Sequence, residues 1–362
     1  MKSDSGIKMK KLILLSLLSL LVMNCGGDLE KRVDPLFIDY TGDVPGAAVF
    51  IIRDGAPVFG KTYGLAHMEM NTPVAFRSNF RLASVTKQFT AMCILLLIEE
   101  GKLNFDTRLS DIYPGYPEYG QDISIEHLLR HTSGLVDYES LMDEADTTQV
   151  LDHDVLRMMM AQDSTYFTPG ERHEYSNSGY AVLAMIIEKL SGLSFADYVE
   201  QRIFDPLGIK NSIAWEKGIS TVPFRAFGYA YEDSAFIFSD QSNTSAVLGD
   251  GGIYSSILDL FKWDQALYTD RLISHELLNR AFTRGKDNSG EKFDYGYGWR
   301  LEDYKGLRCV YHTGSTCGFR NIIKRYPDLR FTVILLTNRA EPDVKHIADK
   351  LTDIFLAEEL SE

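Results

Sequence analysis

The sequence predicts an α+β fold in two lobes: an antiparallel five-stranded sheet flanked by helices, carrying a large, mainly helical insertion. Three observations predict it. β-rich runs stand near both ends of the chain, a long helical stretch separates them, and the first end holds only a hairpin. A two-stranded hairpin is marginal alone in water, so strands from the two ends have to pair in one sheet. With 45% hydrophobic and 24% charged residues, a chain of 362 residues can bury a sizeable core without a metal or disulfide staple.

In chain order, the first feature is a leader. Lys8, Lys10 and Lys11 precede the apolar run Leu12–Met23, whose 12 residues are too few to cross about 30 Å of hydrocarbon as a helix. A basic start, a short apolar middle and a polar break read as a secretory signal, with Met9 an alternative start. The run ends at Asn24-Cys25-Gly26-Gly27, and a cysteine there resembles a bacterial lipoprotein site. Residues 1–25 are therefore expected to be a signal, Cys25 to carry a lipid anchor, and the protein to be exported to the periplasm or cell envelope. An ordinary secretory signal with an incidental cysteine is the alternative.

Next, Ala47–Arg53 and Pro57–Gly64 flank Asp54-Gly55, a hairpin signal. Thr86–Gly101 then predicts a helix with Phe89, Met92, Cys93, Leu96 and Leu97 on one face. Further helices are expected at Ile125–His131, Val150–Ala161, Gly179–Leu190 and Phe195–Phe204, between loops such as Tyr113–Gly120 and Thr168-Pro169-Gly170. Leu307–His312, Gly318–Tyr326 and Phe331–Leu336 supply three more strands, with Pro327-Asp328 turning the last two. Ile347, Leu351, Ile354 and Phe355 mark a final helix. This places the sheet lobe in residues 33–75 and 296–362 and the helical lobe in 76–295. The groove between them is the natural place for a site.

Charge narrows the partners. The formal charge is −14, and the first 24 residues hold four lysines and one aspartate, so without them it becomes −17. Such an acidic chain offers no electrostatic footprint for nucleic acid, and no polybasic patch for anionic lipid. Cys93 falls in an apolar helical run and reads as a small buried hydrophobe. Cys309 and Cys317 either pair in an oxidising compartment or stay as packed thiols; the second is the expectation.

Chemistry concentrates in three short motifs. Ser84-Val85-Thr86-Lys87 starts the apolar helix, so Ser84 and Lys87 share a face. A serine hydroxyl needs a nearby base to attack a carbonyl, and a lysine is such a base only when neutral. Taken alone, Ser-x-x-Lys usually means a helix cap and a solvated lysine, and it recurs at Ser5–Lys8 and Ser289–Lys292. Tyr175-Ser176-Asn177 adds a phenol, and an amide able to orient Lys87 and bind substrate. The same loop also suits the cap of the following helix. His312-Thr313-Gly314 ends a strand, where glycine permits close approach to a ligand and a free edge can hold substrate as an added strand. The backbone N–H groups of Ser84 and Ser315 would form an oxyanion hole.

In this order the motifs resemble those of the serine β-lactamase and penicillin-binding-protein superfamily, in the class C β-lactamase-like branch of esterases and D-peptidases. Supporting stretches are His127–Leu135, Tyr175–Tyr180 and Gly251–Ser255, and the similarity runs from about Gly46 to Asn338. The resemblance implies a β-lactamase/transpeptidase-like fold and catalysis by Ser84, Lys87 and Tyr175. Asn177, His312, Thr313 and Gly314 would bind and orient the substrate. One departure stands out: β-lactamases of this branch carry Lys-Thr-Gly where this chain has His312. Histidine is mostly neutral at pH 7. Tyr175 should then have less help in losing its proton, and a substrate carboxylate should be held less firmly unless Arg320 reaches in. β-Lactam hydrolysis is accordingly ranked low.

The expected function is therefore a serine hydrolase that cleaves an ester or amide through an acyl-enzyme on Ser84. Two alternatives remain: a penicillin- or peptidoglycan-binding sensor that does not turn over, and a D-Ala-D-Ala carboxypeptidase. The expected partner is a small-molecule or short-peptide ester or amide. No cofactor or metal is implied. His127 and His131 have a metal-pair spacing, but the Glu of His-Glu-x-x-His and a third ligand are missing. Tyr295-Gly296-Tyr297-Gly298-Trp299 reads equally as a groove wall or as a packed strand, and His173 as a loop residue.

Overall fold

The computed structural model describes residues 26–143, 145 and 147–360. The expected signal and Cys25 lie outside the described residues. The main sheet has six strands: β1 (Ala47–Arg53), β2 (Ala56–Tyr63), β3 (Arg300–Tyr304), β4 (Leu307–Thr316), β5 (Phe319–Tyr326) and β6 (Phe331–Thr337). Their order is β3-β4-β5-β6-β1-β2, all antiparallel. Strands from the two ends of the chain meet where Ala47 pairs with Thr337 and Arg53 with Phe331. Asp54 and Gly55 both take positive φ (51° and 78°), as a tight two-residue hairpin turn demands.

The sheet has one strand more than the five expected. Three of the five residues in Arg-Leu-Glu-Asp-Tyr of β3 are charged, so no hydrophobic run announces it. The strand lies on the edge of the sheet, where charges protect an exposed ladder.

Period-two alternation sends residues to two cores. Ala48, Phe50, Ile52, Val310, Ile323, Ile334 and Leu336 face the helical part. Ala47, Val49, Ile51, Cys309, Ile322, Val333 and Leu335 face the other way. There they meet Val33, which ends α1 (Gly26–Val33), Phe37 just after it, and the last helix.

The central helix of the larger core is α2 (Lys87–Glu99). Every residue from Lys87 to Leu97 is buried, so the expected single apolar face is instead an apolar girdle. A helix packed from all sides has no polar face to show. Next come α3 (Asn177–Ser191), α4 (Ile257–Ala266) and α5 (Val344–Phe355). The run expected as one helix at Phe195–Phe204 is α-helical only to Val199, then widens into a π-turn over Glu200–Phe204.

One buried ion pair ties α4 to the sheet. Arg325 of β5 donates Nε to Asp264 Oδ1 at 2.6 Å, Thr332 donates its hydroxyl to the same oxygen at 2.8 Å, and both charged side chains are fully buried. Removing one member of a buried pair strands the other charge. Asp264→Ala should therefore cost about 3–5 kcal/mol in urea unfolding. A loss under about 1 kcal/mol would show that the pair contributes little to holding α4 on the sheet.

Candidate active site

The segment that carries Ser84 is held from three directions. Ser84 lies on a short 3₁₀ turn, Ala83–Thr86, that runs into α2. Just before it, Phe80–Arg81 pairs with Ile253–Ser255, and Leu82 N–H donates to Ile253 O at 2.8 Å. Asn321 of β5 donates Nδ2 to Arg81 O at 2.7 Å. Finally, β4 lies directly on the segment: a Cβ added at Gly314 would sit 1.9 Å from Leu82 O. Ala83 has φ 49°, an uncommon left-handed conformation for a non-glycine residue, immediately before Ser84.

Lys87 is wholly buried, and its amine meets three acceptors from three separate segments. Nζ is 3.2 Å from Ser84 Oγ, 2.9 Å from Asn177 Oδ1 and 2.8 Å from Asp250 O. Ser176 caps α3, accepting Gly179 N–H at 3.1 Å, and this presents Asn177 to the lysine. The loop therefore serves as both cap and site.

The Tyr175 ring centre is 5.0 Å from Lys87 Nζ, and the Tyr180 ring 5.6 Å. Yet the buried Tyr175 hydroxyl makes no hydrogen bond among the described residues. The structure thus joins Ser84, Lys87 and Asn177 by hydrogen bonds and leaves the phenol beside them unpartnered.

His312 has no free nitrogen. Nδ1 is 2.7 Å from Thr313 O and Nε2 is 3.0 Å from the Tyr295 hydroxyl. A carbonyl only accepts, so Nδ1 carries the proton and Nε2 accepts from Tyr295. Burial, with Arg300 and Lys87 nearby, holds the His312 imidazole well below the usual histidine range, so it is neutral. A substrate group could reach it only by breaking one of these bonds. Beyond Tyr311, which pairs with Arg300, β4 has no partner on the β3 side. Half-exposed Thr313 and exposed Ser315 lie along that free edge, whereas Gly314 is buried against Leu82.

Three polar groups at the site were not found from sequence. Arg300 sits 5.1 Å from the Tyr175 ring centre and 5.9 Å from that of Tyr295. It takes the place considered for Arg320, which instead donates to Cys317 O and Phe319 O. Only recognition of β3 as an edge strand beside the third motif could have pointed to it. Glu139 accepts from Asn177 Nδ2 at 3.3 Å, and burial followed by nearby Asp137 raises its carboxyl above the usual range. Asp250, whose carbonyl holds Lys87, accepts from the Tyr138 hydroxyl at 3.1 Å; burial pushes its carboxyl up to about 6. Ser84, Ser315, Glu139, Asn177 and Asp250 all line one small polar cavity of about 60 Å³.

The other signals are resolved as packing. Tyr295, Tyr297 and Trp299 are buried, and Gly298 (φ 72°) lies so close to α2 that a Cβ would be 2.6 Å from Lys87 O. His127 turns its Nδ1 to Ser124 N–H at 3.3 Å. Among the described residues no group of three or more His, Cys, Asp or Glu could hold a metal ion. Cys93, Cys309 and Cys317 are free thiols.

The Beta-lactamase family model matches residues 30–357. Penicillin-binding protein 4* of Bacillus subtilis is 37% identical over 81% of this chain and 68% of its own length. A D-aminopeptidase of Brucella anthropi is 29% identical over 92% of this chain, which spans only 63% of that protein. Among solved structures, the octameric penicillin-binding protein homologue from Pyrococcus abyssi matches 92% of this chain and 78% of its own, at 26% identity and TM-score 0.79. A D-amino acid amidase from Ochrobactrum anthropi shares the fold at 23% identity and TM-score 0.77, over 92% of this chain and all of its own.

Gly314 gives a direct test of how β4 sets the site. Gly314→Ala must push the strand off Leu82 and carry Ser315 away from Ser84. A shift of about 1 Å in a reacting geometry can cost about a hundredfold. The rate of fluorophosphonate labelling at Ser84 should fall by about that factor, in protein whose far-UV circular dichroism is unchanged. A rate within about threefold of wild type would separate Gly314 from the reaction geometry.

Proposed function

The chain belongs to the serine β-lactamase and penicillin-binding-protein superfamily, and on that premise we propose that it is a serine hydrolase that cleaves a small amide or ester, with D-peptidase or amidase character. The observation that carries the reading is the coordination of Lys87. A neutral amine has two N–H donors and one lone pair. In that form its two donors fit Asn177 Oδ1 and Asp250 O, and the lone pair is left for the hydroxyl proton of Ser84 at 3.2 Å, the one contact of the three whose direction reverses when the amine loses a proton.

The proposed reaction follows from that arrangement. Ser84 Oγ attacks the carbonyl carbon while its proton passes to Lys87. Backbone N–H groups of Ser84 and Ser315 hold the developing oxyanion. As the tetrahedral adduct collapses, the leaving nitrogen or oxygen takes a proton through Tyr175, whose hydroxyl has no competing internal bond. Water then attacks the acyl-enzyme as Lys87 accepts its proton; when the second adduct collapses, Lys87 returns that proton to Ser84 Oγ and the acid is released. Arg300 supplies a fixed positive charge next to Tyr175 where His312 supplies none.

Glu139 suggests the substrate class. A carboxylate on the wall of the cavity that holds Ser84 is placed to meet a substrate ammonium. That suits amides and short peptides with a free amino terminus, and relatives named as a D-aminopeptidase and a D-amino acid amidase support the choice. The second reading, acylation without turnover, draws on the relative named penicillin-binding protein 4*. We further propose that the protein is exported and anchored through Cys25. Cys25→Ser should then move it from the membrane to the soluble fraction, and an unchanged distribution would argue against an anchor there.

Ser84→Ala should abolish both fluorophosphonate labelling and hydrolysis of D-amino acid amides. Labelling of the wild type with no release of product would favour the non-turnover reading. Glu139→Gln keeps an acceptor for Asn177 and removes the charge. It should raise KM for a D-amino acid amide about tenfold, equivalent to about 1.4 kcal/mol. The same change should leave p-nitrophenyl acetate hydrolysis unaltered. An equal effect on both substrates would show that Glu139 does not read the amino group.

A further inference from the structure

His131 is fully buried yet has φ 59°, the left-handed region that a non-glycine residue seldom enters. The conformation lets its backbone and its ring turn toward the same loop. The His131 carbonyl accepts Glu174 N–H at 2.9 Å, and its Nδ1 accepts Ser176 N–H at 3.1 Å. These are the two residues on either side of Tyr175. The imidazole also packs on the phenol, with ring centres 4.3 Å apart, and lies 4.5 Å from the Tyr295 ring and 4.9 Å from the Tyr180 ring. We propose that His131 is a positioning residue for Tyr175, gripping the peptide N–H groups before and after it so that the phenol is held beside Lys87. This rests on Tyr175 serving the reaction at Ser84.

The grip specifies the form of the ring. An Nδ1 that accepts an N–H carries no proton, so the proton resides on Nε2. Nε2 makes no hydrogen bond among the described residues. His131 thus acts through one nitrogen and one carbonyl and does not touch the substrate. Without the ring nitrogen, Ser176 N–H loses its acceptor, and the loop carrying Tyr175 is pinned on one side only. Binding of substrate along β4 and the cavity is left intact, so the cost should fall on kcat rather than KM.

Two substitutions isolate that nitrogen. Glycine and asparagine both accept positive φ, so neither adds backbone strain. Only asparagine returns an acceptor at about the position of Nδ1. On p-nitrophenyl acetate, His131→Gly should lower kcat at least about thirtyfold with KM within about twofold, and His131→Asn should stay within about fivefold of wild type. Equal losses in the two variants, or no loss in His131→Gly, would overturn the proposal. A second measurement needs no variant: nitrogen chemical shifts of His131 in the wild type should show Nδ1 unprotonated and Nε2 protonated. A proton on Nδ1 would sink the grip even if the variants fail to fold. Wild-type labelling with the fluorophosphonate separates the two readings. No labelling counts against Ser84 as nucleophile, whereas normal labelling with a fully active His131→Gly counts against His131 alone.

Discussion

A lysine amine removed from water has to satisfy every polar contact from within the protein, and the site is built around that demand. Lys87 is met by the serine one turn before it, by the first residue of α3, and by a backbone carbonyl of the segment preceding α4. Together they fix the relative positions of α2, α3 and the Asp250 turn, and they aim the amine at Ser84. The apolar girdle of α2 excludes water from the lysine, and the same exclusion makes each hydrogen bond worth more.

The main sheet sets the other wall. Gly314 lets β4 rest on the backbone ahead of Ser84, and the unpaired part of β4 beyond Tyr311 opens toward the groove. The third motif is thus defined by a missing side chain and a missing strand partner. Its histidine is engaged within the fold. It is neutral, bonded at both nitrogens, and holds Tyr295 in the core. Positive charge comes from Arg300, one strand across.

The frame of the fold was legible because it rests on local signals: β-rich runs in β1 and β6, Asp54-Gly55 for the turn, and a dense apolar run for α2. Spacing placed Ser84 and Lys87 on one face, since three residues make about one helical turn. What escaped notice depends on contacts between distant segments. Arg300 sits in a charged edge strand that has no hydrophobic pattern. Glu139 is one acidic residue among many in a loop. His131 drew attention only for its spacing from His127, which was set aside as a metal pair for want of a third ligand, whereas the positive φ that turns it toward Glu174 and Ser176 is not visible in sequence. The choice between a groove wall and packing for Tyr295–Trp299 likewise depended on α2, against which Gly298 is pressed.

The pairing of β1 with β6 also bears on how the chain reaches this state. Arg53 finds its neighbour in Phe331, near the opposite end of the polypeptide. During synthesis β1 and β2 emerge long before β6 and must wait, with one ladder edge open, until that strand has left the ribosome. Closing so long a loop is entropically costly, and such non-local topology slows folding. Until β6 arrives, the open edge of the hairpin is available to wrong partners.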